Sequence, residues 1–237
     1  MEAQADYTRR MAADPEVRDL RRRIYACVVK HRYVYNFSWL GRPIIQFPQD
    51  IVAVQEILWR VRPDLVVETG VARGGSLVLS ASILELVGHG EVLGIDVEIR
   101  PHNRRSIEAH PLSKRIRLIE GSSTDPAVVE EVRAAAASRS GVVVILDSLH
   151  THEHVLEELR LYSPLVGKGS YLIAFDTAID DVPGDAFPDR PWGKGNNPKT
   201  AVREFLRENP RFEVDRALED RLGITSAPEG FLRCIAD

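Results

Sequence analysis

From Asp64 onward, short runs of branched apolar residues alternate with longer stretches whose apolar positions recur every three or four residues. The runs are "LVVE", "EVLGID", "IRLIEG", "VVVILD" and "SYLIAFD"; between them lie "GSLVLSASILELV", "PAVVEEVRAAAA" and "EHVLEELRLYSPLV". Apolar runs without polar alternation predict strands buried on both faces, and the helical stripes predict the layers that cover them. This is the pattern of βαβ units winding a parallel sheet. After a helix near Thr200 to Glu208, "RFEVDRAL" and "GFLRCIA" predict a closing antiparallel pair. Upstream, Val17, Leu20, Ile24 and Val28 predict a charged helix over Pro15 to Val34. Asp50 reads as the cap of a helix through "IVAVQEILWRV". The chain thus divides into a helical extension over residues 1–62, packed on the core, and an α/β domain over residues 63–237.

A chain of 237 residues is long enough for one domain with a full core. Its net charge of -4 gives no electrostatic case for a nucleic-acid partner. Cys27 and Cys234, the only cysteines, make neither a disulfide framework nor a thiolate metal site, which fits a reducing cytoplasm. No apolar run approaches the ~20 residues of a membrane span, and the first residues lack the apolar core of a signal peptide. The expectation is a cytoplasmic protein with neither nucleic acid nor membrane as partner.

Ligands of open α/β sheets bind beyond the C-terminal ends of the strands. The candidate positions are therefore Glu68, Asp96, Gly121 to Ser123, Asp147 to His150, and Asp176. "VVETGVARGGS" sets Glu68 at a strand end and Gly70, Gly74, Gly75 and Ser76 before a helix. The loop lacks both the dinucleotide fingerprint and the Gly-Lys-Ser/Thr of a phosphate loop. An acid at its start repels a polyphosphate and suits a ligand with a cationic amino group. Asp96 follows 28 residues later (96 minus 68), and a carboxylate there can accept both hydroxyls of a ribose. Glu68 and Asp96 together describe a nucleoside that carries an amino group and no phosphates.

The stretch "VVVILDSLHTHEHV" admits two chemistries. His150 to His154, with Glu153 between them, match the H-x-x-E-H of inverted zinc proteases. Asp147 ends a buried run, however, so His150 falls on the strand-to-helix turn and His154 inside the helix, which argues against a shared zinc. Asp147 and Asp176 end two strands that converge on one crevice. They either cap turns or form a hard-cation site, for which carboxylate oxygens suit Mg²⁺. His152 and His154 read as solvated residues of a first helical turn. The segment "AIDDVPGDAFPDRPWGKGNNP" is longer than a simple connection, and Trp192, Asn196 and Asn197 mark residues of about 178–199 as either a lid over a sugar or ring or a surface loop.

The sequence E-x-G-x-x-x-G-x-S from Glu68 to Ser76, with an acid after the second strand, resembles class I S-adenosylmethionine-dependent methyltransferases. With "WLGRPIIQFPQDIVAVQEIL", "LDSLHTHEHVLEEL", "YLIAFDT" and "PWGKGNNPKTAVREFL", the chain from about Tyr33 onward is similar to the rhamnosyl O-methyltransferase and cephalosporin hydroxylase-like family. The resemblance implies a Rossmann-like, doubly wound, seven-stranded and mostly parallel sheet with an antiparallel C-terminal strand and N-terminal helices. It implies bound S-adenosylmethionine and a divalent metal, commonly Mg²⁺. By the same resemblance Glu68, with Gly70, Gly74 and Ser76, meets the methionine end of the cofactor, Asp96 its ribose, and Gly121, Ser122 and Ser123 its adenine. Asp147 lies beside the cofactor and, with Asp176, ligates the metal, while His150 is the general base. That role has a chemical motive, because a neutral imidazole accepts a hydroxyl proton near pH 7.

One departure stands out: relatives often carry a Glu-Asp pair where this chain has Phe175-Asp176, so one carboxylate ligand is missing. The expected activity is Mg-assisted methylation of a hydroxyl on a small, glycosylated natural product, as in antibiotic biosynthesis, with residues 1–62 helping to form the acceptor pocket. Two other readings stay open: a non-catalytic cofactor-binding subunit, and a metal-dependent hydroxylase. The latter lacks a clear two-His-one-carboxylate set away from the His150–His154 cluster. Whether the chain forms a homo-oligomer is also open.

Overall fold

The computed structural model describes residues 2–184 and 186–237; Met1 of the N-terminal extension and Asp185 of the lid segment lie outside the described residues. Two helices, α1 (Glu2–Ala13) and α2 (Pro15–Val29), lead to a hairpin of β1 (Phe37–Trp39) and β2 (Arg42–Ile44) and then to α3 (Pro48–Val61). The alternating part follows as β3 (Leu65–Thr69), α4 (Gly75–Val87), β4 (Glu91–Asp96), α5 (Pro101–Glu108), β5 (Ile116–Glu120), α6 (Pro126–Ala136), β6 (Val142–Leu146), α7 (His152–Tyr162) and β7 (Tyr171–Ala174). The chain closes with α8 (Pro198–Glu208), β8 (Phe212–Val214), the short α9 (Arg216–Glu219) and β9 (Phe231–Cys234).

Seven strands form one sheet in the order β5-β4-β3-β6-β7-β9-β8. β3 to β7 pair in parallel, whereas β9 runs antiparallel to both β7 and β8. The doubly wound architecture expected from the apolar runs is the one observed. Its cause is visible in β6, where Val143 and Ile145 face one core layer and Val142, Val144 and Leu146 the other. The first layer sits under α3 and α4, the second under α6, α7 and α8. A third cluster packs Tyr25 of α2 on Phe47, Ala178 and Val182, so the N-terminal helices rest against the loops at one end of the sheet.

Two local expectations are corrected. The first periodic helix stops at Val29, and residues 33–36 form a separate tight turn. Asp50 is not a cap: Phe47 holds that position, Pro48 opens the helix, and Asp50 lies buried in the first turn. There it accepts hydrogen bonds from Thr225 Oγ1 (2.5 Å), Ser226 N (2.9 Å) and Ser226 Oγ (3.0 Å). Helix α5 and the β1–β2 hairpin had no counterpart in the apolar pattern. In α5 only Ile107 and Asn103 are buried, too few to leave a stripe.

The chain winds outward from β3 to β4 and β5 on one side and then crosses back to β6 and β7 on the other, which opens a crevice above the C-terminal ends of β3 and β6. Gly70 begins this crevice with φ +90°, and a Cβ there would stand 2.0 Å from the Asp147 carbonyl oxygen. Only glycine lets these two strand ends approach so closely.

Candidate functional site

A cavity of about 630 Å³ occupies the crevice, within the range of small-molecule sites. Its wall includes Gly70, Gly74, Ser76, Asp96, Ser122, Ser123, Asp147, His150, Asp176 and Trp192. Most of the expected site residues therefore meet in one place. Glu68 and Gly121 stand behind this wall. Gly121 donates its N–H to the Asp96 carbonyl (2.8 Å), while Glu68 is fully buried and accepts from the hydroxyl of Ser76.

The second oxygen of Glu68 has no hydrogen-bond partner, and burial pushes the carboxyl up to about 7 despite the bond from Ser76. A buried carboxylate oxygen without a donor is costly, and it fits the ammonium group of an amino-acid ligand. Asp96 is already engaged: Oδ2 accepts from Val71 N (2.9 Å) and Ala72 N (3.2 Å), and Oδ1 from Glu98 N (3.2 Å). It fixes the shape of the glycine loop and keeps limited lone-pair capacity for a ribose.

Asp147, His150 and Asp176 form a cluster of titratable side chains at the cavity wall. One ligand atom from each lies within 4.8 Å of the other two, and His150 Nε2 stands 3.2 Å from Asp176 Oδ2. Asp147 is held well above the usual carboxylate range, first by burial and then by the negative charge of Asp176, Glu68, Glu158 and Asp50. Two carboxylates and an imidazole at this spacing fit a divalent cation, whose charge would relieve that repulsion. Asp176 reaches the centre from a left-handed backbone, φ 58°, just past β7. Phe175 points the other way into the core, edge-on to Phe231 at 6.3 Å.

His152 and His154 do not behave as solvated residues. His152 joins α7 to α8, with Nδ1 2.8 Å from Thr200 Oγ1 and Nε2 3.3 Å from Glu204. His154 lines the cavity, and its Nε2 lies 3.2 Å from Ser123 Oγ, 3.1 Å from Ser148 Oγ and 3.4 Å from Glu158 Oε1. Burial opposes its charge, but the contact with Glu158 outweighs this and raises its pKa. Among the described residues, neither ring joins the group of Asp147, His150 and Asp176, which holds one histidine and two carboxylates.

A second cavity of about 720 Å³ adjoins the first and shares His150, Asp176, Arg190 and Trp192 with it. Tyr25, Tyr35, Phe47 and Phe187 give it an aromatic wall, and Val29, Lys30 and Arg32 bring in the end of α2 and the turn after it. Trp192 sets its edge against the His150 ring at 4.8 Å, and Arg190 lies over Trp192 at 5.1 Å. Asn196 and Asn197 face neither cavity. Asn196 accepts from His152 N, and Asn197 caps α8 while donating to Asp180 and to the Gly193 carbonyl. They anchor the loop that presents Trp192. Val97, absent from the expected set, also lines the first cavity together with Leu149 of the expected Asp147–His150 stretch, although both are exposed and apolar. The available signal for Val97 was its position, one residue after the strand-end acid Asp96.

A family model described as rhamnosyl O-methyltransferase/CmcI matches residues 31–235. The chain is 34% identical over 214 residues to the rhamnosyl O-methyltransferase of Mycobacterium tuberculosis (strain ATCC 25618 / H37Rv), covering 85% of this chain and 82% of that protein. It is 32% identical over 211 residues to the rhamnosyl O-methyltransferase of Mycobacterium leprae (strain TN), covering 85% and 87%. An apo structure of CmcI superposes with a TM-score of 0.60 at 20% identity, over 86% of this chain and 78% of that one. A CmcI structure with Mg and SAM gives 0.59 at 21% identity, over 85% and 78%. These two likenesses speak to the fold.

Proposed function

The chain belongs to the rhamnosyl O-methyltransferase/CmcI family and is an S-adenosylmethionine-dependent O-methyltransferase; on that premise we propose that it methylates a sugar hydroxyl of a glycosylated natural product with the help of a divalent cation, Mg²⁺. The observation that carries this reading is the junction of two cavities at Asp147, His150 and Asp176. One cavity suits an aminoacyl nucleoside and the other, aromatic-walled, suits a sugar-bearing acceptor.

In this reading Glu68 holds the amino group of the methyl donor and Asp96 shapes the loop around its ribose. Ser122, Ser123, Val97 and Leu149 border the adenine. Asp147 and Asp176 hold the cation, which when bound supplies positive charge to the acceptor oxygen and lowers the pKa of its hydroxyl. The imidazole of His150, whose Nε2 lies 3.2 Å from Asp176 Oδ2, accepts that proton as the oxygen turns toward the sulfonium methyl. Trp192 backs the His150 ring and lies against the acceptor. The extension over residues 1–62 serves the acceptor cavity, and the segment at about 178–199 closes over it. Holding both reactants in line accounts for most of the rate enhancement.

The test is transfer of isotopically labelled methyl from S-adenosylmethionine to a panel of rhamnosides and related glycosides. Label should appear in the glycoside only with Mg²⁺ present and should be lost with a chelator. Incorporation unaffected by a chelator would remove the cation from the mechanism.

A further inference from the structure

Along one face of α7, His154, Glu158 and Tyr162 follow each other at intervals of four residues, a polar line on a helix otherwise buried through Val155, Leu156 and Leu159. Each reaches back toward the cofactor cavity. Tyr162 donates to the Ser123 carbonyl (2.6 Å), and Ser148 Oγ donates to Glu158 Oε1 (2.8 Å). His154 Nε2 lies between the hydroxyls of Ser123 and Ser148, within 3.2 Å of both. Ser123 belongs to the loop after β5, and Ser148 directly follows Asp147. Two separate loops, one on each side of the switch point, are thus fastened to a single imidazole.

The arrangement is expensive for a purely structural device. Glu158 is completely buried, and its Oε2 has no partner. An apolar residue there would avoid that desolvation. What the polar line provides, and apolar packing would not, is a directional connection between the Ser122–Ser123 loop and the Asp147–Ser148 turn.

We propose that His154, held by Glu158, is a positioning residue that couples cofactor binding to cation binding. The inference rests on the placement of cofactor and cation given above. His154 links the Asp147–Ser148 turn to Ser123, so order imposed on that turn by a cation held at Asp147 would reach the cofactor loop. By linkage the cofactor favours the cation equally. His154 touches neither reacting group.

Equilibrium dialysis of labelled S-adenosylmethionine, at zero and at saturating MgCl₂, measures the coupling as a ratio of dissociation constants. The wild-type ratio is expected to be about fivefold or more, the usual lower bound for coupled sites. In His154→Ala it should fall to about one, with a melting temperature lowered by the loss of a partner to the buried Glu158. His154→Gln, whose amide can span both serine hydroxyls, should restore most of the ratio. Glu158→Gln, nearly isosteric, should lower it in part and serves as the decisive variant if His154→Ala does not fold. A merely structural role would weaken both affinities and lower the melting temperature with the ratio unchanged, and that outcome overturns the proposal. A wild-type ratio of one also overturns it. Absence of cofactor binding in the wild-type protein would instead strike the methyltransferase reading.

Discussion

In the proposed mechanism Glu68 and His150 answer for different steps, and their substitutions should separate accordingly. Glu68 has a folded-state pKa of about 7 against an ordinary 4.5. A raised carboxyl pKa means that the folded protein binds the extra proton, so stability falls as pH rises from about 4.5 through about 7. At about 1.4 kcal/mol per unit this loss is on the order of 3 kcal/mol. Glu68→Gln should flatten that part of the stability profile in urea titrations of the ligand-free protein. It should also weaken S-adenosylmethionine binding roughly tenfold or more, as loss of a charged hydrogen bond does; unchanged affinity would detach Glu68 from the cofactor. His150→Ala should lower turnover by roughly two to four powers of ten with cofactor affinity nearly intact. Turnover close to wild type would remove it as the base.

At the scale of elements, Asp50 fastens the start of α3 to the segment before β9. Three hydrogen bonds converge on its buried carboxylate, which burial still holds at about 6. Asp50→Ala leaves Thr225 and Ser226 with unpaired buried donors and should cost about 2–4 kcal/mol in urea unfolding at unchanged m-value. Such connections explain what the sequence could and could not disclose. α4 was legible because its apolar residues are continuous with β3 and β4, and β6 because every residue in it is buried. Asp147, His150 and Asp176 were legible as residues at or just beyond strand ends. The partners of Asp50 lie about 175 residues away and those of His154 include Ser123, 31 residues back, so no local pattern could show that either side chain is engaged. α5, with only Asn103 and Ile107 buried, left no apolar stripe to read. Trp192 offers a further check at this scale. Trp192→Ala should reduce kcat/KM for the acceptor while leaving cofactor affinity unchanged, because its ring meets His150 and the second cavity.

As a whole, the molecule is a doubly wound sheet with a helical extension laid against the loops of one end. The sheet sets the first cavity at the split between β3 and β6, and α2 with the turn after it walls the neighbouring cavity. No helix among the described residues is long and apolar enough to cross a membrane. The alternatives of a non-catalytic subunit and of a hydroxylase differ from the methyltransferase in what this architecture must bind. Calorimetric titration with S-adenosylmethionine, with and without Mg²⁺, tests that directly. The account predicts one saturable site per chain, with tighter binding in the presence of Mg²⁺. Absence of binding under both conditions would contradict it.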